Sequence, residues 1–141
     1  MLGEALIIWN DKNGFNRLDS PLFRIEKKNS HYEIAGEGFD MEDGLFGLAL
    51  SPNMQPNGRL LVFRPLASKS IYAAYTADLK NSLNGEKMWT GPDFLPSQAT
   101  TMAFSADGTL FYALTGQTAI GCWHLSKPWS LENFVINDFN L

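Results

Sequence analysis

The feature that most constrains the fold of this chain is an internal repeat with an offset of about 50 residues. Three pairs of segments correspond in order, namely residues 48–51 with 102–105, residues 57–61 with 107–111, and residues 70–71 with 119–120. Both units run from a strand through an Asn-Gly or Asp-Gly turn to a second strand, and then through another turn to a third. Repeats of this length are typical of solenoids, propellers and arrays, in which each unit packs on its neighbours.

The strands within each unit are short and separated by turn residues. The predicted strands are residues 45–50, 59–64 and 70–75 in the first unit, and residues 100–105, 109–114 and 118–123 in the second. The continuous apolar run of residues 45–50 predicts burial on both faces of its strand. Residues 36–44 and 127–141 are interpreted as connectors, and residues 76–83 as one turn of helix.

These units predict an all-β protein made of antiparallel four-stranded blades of a β-propeller. A hairpin over residues 5–18, with its turn at Asn13-Gly14, would be the outer part of a preceding blade. About two blades and part of a third do not close a ring, because propellers have roughly four to eight blades. We therefore expect residues 1–141 to form a partial propeller that is incomplete at both ends, with the remaining blades outside this sequence.

Composition and charge argue against several classes of function. The formal net charge is -4 and the pI is about 5.0, whereas nucleic-acid binding needs a basic surface. The longest apolar run, residues 5–9, is too short to span a bilayer, and the first residues lack the basic and apolar segments of a signal peptide. We expect no nucleic-acid partner and no membrane partner.

Motifs for common catalytic and metal chemistry are absent from the sequence. It has no GxSxG, no HExxH and no P-loop, so no cofactor is expected. Five carboxylates lie within eleven residues without a base, at Glu33, Glu37, Asp40, Glu42 and Asp43. Oxygen ligands suit Ca²⁺, but this spacing matches no calcium loop, so a solvated acidic loop is the simpler interpretation and no metal is predicted.

Four ordered stretches of the chain resemble the insect major royal jelly protein and yellow family. They are residues 36–52, residues 62–68 (Val-Phe-Arg-Pro-Leu-Ala-Ser), residues 119–123 (Ala-Ile-Gly-Cys-Trp), and Pro128 with residues 132–134 (Glu-Asn-Phe). Two positions depart from the pattern of the family. Arg64 stands where the family usually has His, and His124 stands where Asn often follows the Trp.

The resemblance implies a secreted six-bladed propeller with a ligand channel along its axis. Members of the family are linked to cuticle pigmentation and melanin chemistry, some of them to dopachrome conversion. Salivary members bind biogenic amines, and others are nutritional proteins. For the full-length form of this chain, the resemblance therefore implies an extracellular protein that binds a small aromatic amine or catechol-type ligand, or acts in pigmentation. A dopachrome-converting isomerase and a storage or structural protein without a ligand remain alternatives.

Residues just before the two inner strands are the candidate ligand contacts, because loops into inner strands lie near a mouth of the channel. Asp43 would accept a hydrogen bond from a ligand amine. Phe94, Ser97, Gln98 and Thr100 would hold an aromatic ring and its polar substituents. The simpler interpretations are a turn carboxylate and an ordinary loop between blades.

Two histidines and one cysteine complete the set of candidates. His31 or His124 would be the base of a dopachrome-type isomerisation, although ordinary strand histidines are the simpler explanation. Cys122 is the one cysteine, so it forms no internal disulfide. It is either an inert thiol or, as the resemblance to a secreted family implies, half of a disulfide to a cysteine outside this chain. We favour the disulfide.

Overall fold

The computed structural model describes residues 4–53, 58–81, 89–90 and 95–138, and strands dominate these ranges. The strands are β1 (Ala5–Asn10), β2 (Gly14–Asp19), β3 (His31–Ile34), β4 (Glu37–Asp40), β5 (Leu45–Leu50), β6 (Leu60–Pro65), β7 (Tyr72–Tyr75), β8 (Trp89–Thr90), β9 (Met102–Phe104), β10 (Thr109–Leu114), β11 (Ala119–His124) and β12 (Val135–Asp138). One short helix, α1 (Thr76–Asn81), follows β7, in agreement with the predicted helical turn. Short 3₁₀ turns lie at Pro21–Phe23, Lys27–Asn29, Thr115–Gln117 and Leu131–Asn133.

Two four-stranded antiparallel sheets follow one another along the chain. The first has the order β5-β6-β7-β8, and the second runs from β9 through β10 and β11 to β12. Each sheet is a simple meander, and its first strands match the repeated segments of the sequence. The edge strands β5 and β9 lie beside each other, as inner strands of neighbouring propeller blades do. The structure thus confirms the predicted all-β fold and its four-stranded blades.

The turn after each inner strand explains why glycine occurs in both repeats. Gly58 has a φ of 79° and Gly108 a φ of 93°, values that favour glycine. A Cβ on Gly108 would also lie 2.7 Å from Cδ1 of Leu125. The backbone angle therefore favours glycine at Gly108, and a larger residue there would also displace the Leu125 side chain.

Strand β6 is buried on both faces and separates two hydrophobic cores. Leu60 and Val62 belong to the inter-blade core, which lies between the two four-stranded sheets. Leu61 and Phe63 belong to the hairpin core, in which the first sheet packs against residues of β1, β2 and the turn Pro21–Phe23. This double burial is the physical reason for the continuous apolar sequence of β6.

The inner strand β5 differs from its prediction, because only one of its faces is buried in this chain. Gly47 and Ala49 are buried, whereas Phe46, Leu48 and Leu50 are 56, 46 and 47% exposed. The exposed residues Leu48 and Leu50 line an apolar groove beside strand β1. The expectation of two-sided burial is therefore met on one face only.

Two segments interpreted as connectors contain strands. Strand β4 pairs with β3 through a tight turn in which Ala35 and Gly36 have φ values of 52° and 84°. Two successive positive φ values are those of a type I′ hairpin turn, which Ala35 does not signal in sequence. Strand β12 forms by pairing with β11, so its position depends on a partner strand rather than on its own sequence.

Candidate ligand site

Asp43 lies two residues before the inner strand β5 and is half-buried. Its backbone carbonyl accepts a hydrogen bond of 3.2 Å from the N–H of Ala67, which fixes the main chain at this point. Its carboxylate has no hydrogen-bond or ion-pair partner among the described residues. An unpaired carboxylate partly withdrawn from water is a candidate contact for a cationic ligand.

Gln98 is a buried residue that ties the loop before β9 to the start of the β3–β4 hairpin. Its side-chain amide donates hydrogen bonds to the carbonyls of Asn29, at 2.7 Å, and His31, at 2.8 Å. The backbone carbonyl of Gln98 accepts a hydrogen bond from the backbone N–H of Thr115, at 2.9 Å, and another from the Thr115 hydroxyl, at 2.7 Å. Gln98 therefore holds three segments of the chain together.

Ser97 and Thr100 flank this tie. The Ser97 hydroxyl is buried, donates to the carbonyl of Gln98 at 2.8 Å and accepts from the N–H of Gly116 at 3.1 Å. Thr100 is half-buried beside strand β5, since its carbonyl lies 3.6 Å from the position of a Cβ on Gly47. Phe94 lies outside the described residues.

Arg64 is a buried cation whose burial has no signal in the sequence beyond its departure from the pattern of the resembled family. Its side chain is fully buried, and its Nη2 donates to the carbonyl of Ser68 at 2.6 Å and makes a long contact of 3.5 Å with that of Ser97. Among the described residues, its Nε and Nη1 have no hydrogen-bond partner. Burial lowers the pKa of Arg64 to about 10, while the nearby phenols of Tyr32 and Tyr112 favour its charged form.

Two buried tyrosines share this polar region with Arg64. The Tyr32 hydroxyl donates a 2.5 Å hydrogen bond to the carbonyl of Leu66, and burial raises the pKa of Tyr32 to about 12. The charge of Asp43 also raises the Tyr32 pKa, whereas that of Arg64 lowers it. The Tyr112 hydroxyl is buried without a partner among the described residues, and burial raises its pKa as well. Tyr32 therefore interacts electrostatically with both Asp43 and Arg64.

The comparison with known proteins identifies the family. The family model described as "Major royal jelly protein" matches residues 1–139 of the chain. The chain belongs to the major royal jelly protein family. It is 36% identical to "Major royal jelly protein 7" of Apis mellifera over 93% of this chain and 30% of that protein. It is 31% identical to "Protein yellow" of Drosophila yakuba over 97% of this chain and 27% of that protein. The chain thus spans less than a third of the length of these relatives.

The two histidines of this royal jelly family chain take part in local hydrogen bonds on separate hairpins. His31 Nδ1 lies 2.8 Å from a carboxylate oxygen of Asp40, and both side chains are exposed. His124 Nδ1 lies 2.8 Å from the hydroxyl of Ser126, and its Nε2 lies 3.1 Å from the carbonyl of Asp107. These contacts give each histidine a structural role, and a catalytic role for either remains a prediction.

Cys122 is a free, half-buried cysteine on strand β11. It pairs across the sheet with Phe111, whose side chain is 45% exposed. Its disulfide to a cysteine outside the chain remains a prediction.

Neither a metal cluster nor a membrane-spanning helix is found in the described part of the chain. Within residues 4–53, 58–81, 89–90 and 95–138, no three His, Cys, Asp or Glu side chains come together as a metal site requires. In the same ranges, no helix has the length and apolar character needed to cross a bilayer.

Proposed function

We propose that the full-length protein is an extracellular propeller of the royal jelly and yellow type that binds a small aromatic amine or catechol-type ligand. Family membership supports the propeller and the secreted location. The observation that carries the ligand proposal is the half-buried carboxylate of Asp43, which has no partner among the described residues and lies next to an inner strand. An ammonium group of a ligand would supply the missing opposite charge.

The other candidate residues have different roles in this proposal. The side chains of Gln98 and Ser97 donate their hydrogen bonds to backbone carbonyls. We therefore assign them the role of shaping the loop that carries the ligand contacts. Thr100, half-buried beside β5, is free to offer its hydroxyl to a polar substituent of the ring, since no hydrogen bond of this side chain is found within the described ranges. Phe94, which lies outside the described residues, keeps its predicted role as the aromatic contact for the ligand ring.

Calorimetry of the full-length protein with serotonin and dopamine tests this proposal. Asp43→Asn keeps the size of the side chain and removes its charge, so we expect binding to weaken by about 1–3 kcal/mol if the ion pair is desolvated. Asp40→Asn is the matched control, because Asp40 is exposed and contacts His31 on the β3–β4 hairpin. Unchanged affinity in both Asp43→Asn and Phe94→Ala would place the site elsewhere.

The same samples separate binding from catalysis. A binding protein leaves dopachrome unchanged, whereas an isomerase of the melanin pathway removes its visible absorbance with turnover. Absence of both saturable binding and turnover would favour a storage or structural role.

A further inference from the structure

Arg64 is a buried charged residue that lacks hydrogen-bond acceptors for two of its nitrogens in the described part of the chain. Among the described residues, only its Nη2 has hydrogen-bond partners, which are the carbonyls of Ser68 and Ser97. The N–H groups of its Nε and Nη1 are buried and have no acceptor among the described residues. Buried polar groups are nearly always satisfied in folded proteins, so this guanidinium calls for a further acceptor.

The Tyr112 hydroxyl is a second unsatisfied donor in the same region. Strand alternation directs Arg64 on β6 and Tyr112 on β10 toward the space between the two sheets, where Leu60, Val62 and Leu110 form the inter-blade core. The two groups interact electrostatically across this space. The Nε and Nη1 of Arg64 and the hydroxyl of Tyr112 are thus donors without an acceptor among the described residues.

Two glycines make room for these side chains. A Cβ on Gly47, the cross-strand partner of Arg64, would lie 3.3 Å from the Arg64 Cγ and 3.2 Å from Cε of Met102. A Cβ on Gly121 would overlap the ring of Tyr112. The Cγ of Arg64 therefore lies against Gly47, and the ring and hydroxyl of Tyr112 lie against Gly121.

Charge decides which acceptor the site requires. No carboxylate lies within ion-pair distance of Arg64 in the described ranges. The carboxylate of Glu26 influences Arg64 electrostatically, but its oxygens accept from the Ser68 hydroxyl at 2.5 Å and the Asn29 amide at 2.7 Å. Water would satisfy hydrogen bonds but would leave the buried positive charge uncompensated.

We propose that Arg64 and Tyr112 form a binding site for a small monovalent anion of halide size, enclosed between the two blades. The guanidinium supplies the charge and two N–H donors, and the Tyr112 hydroxyl supplies a third direction of hydrogen bonding. The site is separate from the proposed amine contact at Asp43 and takes a ligand of opposite charge. Its occupancy would join the first blade to the second.

Bromide is the probe for this site, because it replaces chloride and scatters anomalously. Crystals of the full-length protein grown or soaked in bromide are expected to show an anomalous peak within hydrogen-bond distance of Arg64 and Tyr112. In solution, the melting temperature is expected to rise with chloride or bromide at constant ionic strength, with gluconate as the balancing anion.

Conservative variants connect the effect to these residues. Tyr112→Phe keeps the ring and removes the hydroxyl, and we expect the halide concentration for half of the stabilisation to rise about fivefold to tenfold. Arg64→Met is expected to abolish the halide effect. Arg17→Met is the control, since Arg17 is exposed and paired with Asp19, and it should keep the full effect.

The proposal does not depend on the stability of the Arg64 variant, because the native protein and Tyr112→Phe test it without that variant. Halide-independent melting without a bromide peak would mean that water, or a carboxylate from outside the described ranges, satisfies Arg64. That result would overturn the anion site and leave the amine proposal at Asp43 untouched. An equal halide response in Tyr112→Phe and the native protein would exclude Tyr112 from the site.

Discussion

The ring of Tyr112 lies over Gly121, its cross-strand partner in the pairing of β10 with β11. Tyr112 is 1% exposed and contacts Phe134, with ring centroids 6.0 Å apart. An aromatic ring that covers a glycine of the neighbouring strand is a known way to stabilise a sheet at that position. The pair therefore fixes the packing of the second blade against the inter-blade core.

Gly121→Ala is expected to destabilise the protein by about 1–3 kcal/mol, because the new methyl group overlaps the Tyr112 ring and the buried ring must move. Gly38→Ala is the control on another strand. Its Cβ would only reach ordinary contact with the His31 ring, at 3.4 Å, on an exposed hairpin. Denaturant unfolding of both variants measures the difference, and equal stabilities would contradict the predicted overlap.

Gln98→Leu is expected to lower the free energy of unfolding by about 2 kcal/mol, because the carbonyls of Asn29 and His31 lose their side-chain donor. Gln117→Leu is the matched control, since Gln117 is exposed on a surface turn. Hydrogen exchange should show faster opening of the β3–β4 hairpin in Gln98→Leu alone. Unaltered exchange there would mean that Gln98 does not hold the hairpin in place.

The raised pKa of Tyr32 leads us to expect a loss of folding stability in alkaline solution. Its pKa is about 12 in the folded protein against an ordinary value of 10, so the folded state keeps the phenol proton after the unfolded state has lost it. The contribution of Tyr32 is complete below pH 10 and disappears as the pH rises to 12, a loss of about 2 kcal/mol. Arg64, whose pKa is lowered to about 10, acts in the opposite direction over the same range.

The contribution of Tyr32 is therefore measured as a difference between the native protein and Tyr32→Phe. At pH 8 the variant should be less stable, because it lacks the hydrogen bond to Leu66. The gap between the two proteins should narrow between pH 10 and 12. A gap that stays constant with pH would show that the phenol of Tyr32 titrates equally in both states.

The outward face of the second blade predicts self-association of the 141-residue chain when it is expressed alone. Phe111, Ile120 and Val135 are 45, 46 and 51% exposed on this face. The double variant Phe111→Ser, Ile120→Thr should be less associated in analytical ultracentrifugation, because apolar area is removed from the contact surface. A monodisperse native chain with a sharp cooperative melt would contradict this prediction.

Cys122 is expected to form a disulfide in the full-length protein, with a cysteine outside these residues. The motive is its place in the family-like Ala-Ile-Gly-Cys-Trp segment, and its half-buried side chain makes no disulfide within the described part of the chain. Mass spectrometry of the unreduced protein should recover a cross-linked peptide that contains Cys122. Recovery of an alkylated Cys122 without prior reduction would disprove the pairing.

The repeat made the blades predictable, because each blade is a local meander whose turns are marked by Gly58 and Gly108. The inner strand β5 has the same bounds in sequence and structure, Leu45–Leu50. By contrast, β4 lies among acidic residues and depends on the turn at Ala35, and β12 depends on its pairing with β11. Such strands are set by a partner, and a pattern within one segment does not reveal them.

The candidate site was predictable only in part for a similar reason. The position of Asp43 before an inner strand follows from the repeat. The role of Gln98 does not, because its partners Asn29 and His31 are 69 and 67 residues away along the chain. The burial of Arg64 likewise depends on two loops that meet only in the folded protein.

Strand β6 contributes alternate side chains to the two hydrophobic cores, and this has a consequence for how the chain can open. If either the second sheet or the β1–β2 hairpin separates from β6, the apolar side chains on that face of β6 become exposed to water. Opening of one core therefore also destabilises the packing of the other core. The amide protons of β6 should therefore exchange only when the whole assembly unfolds. For the same reason, evolution can add or remove a blade without damage only as a complete unit. That unit is one four-stranded sheet together with the inter-blade core that joins it to the next sheet.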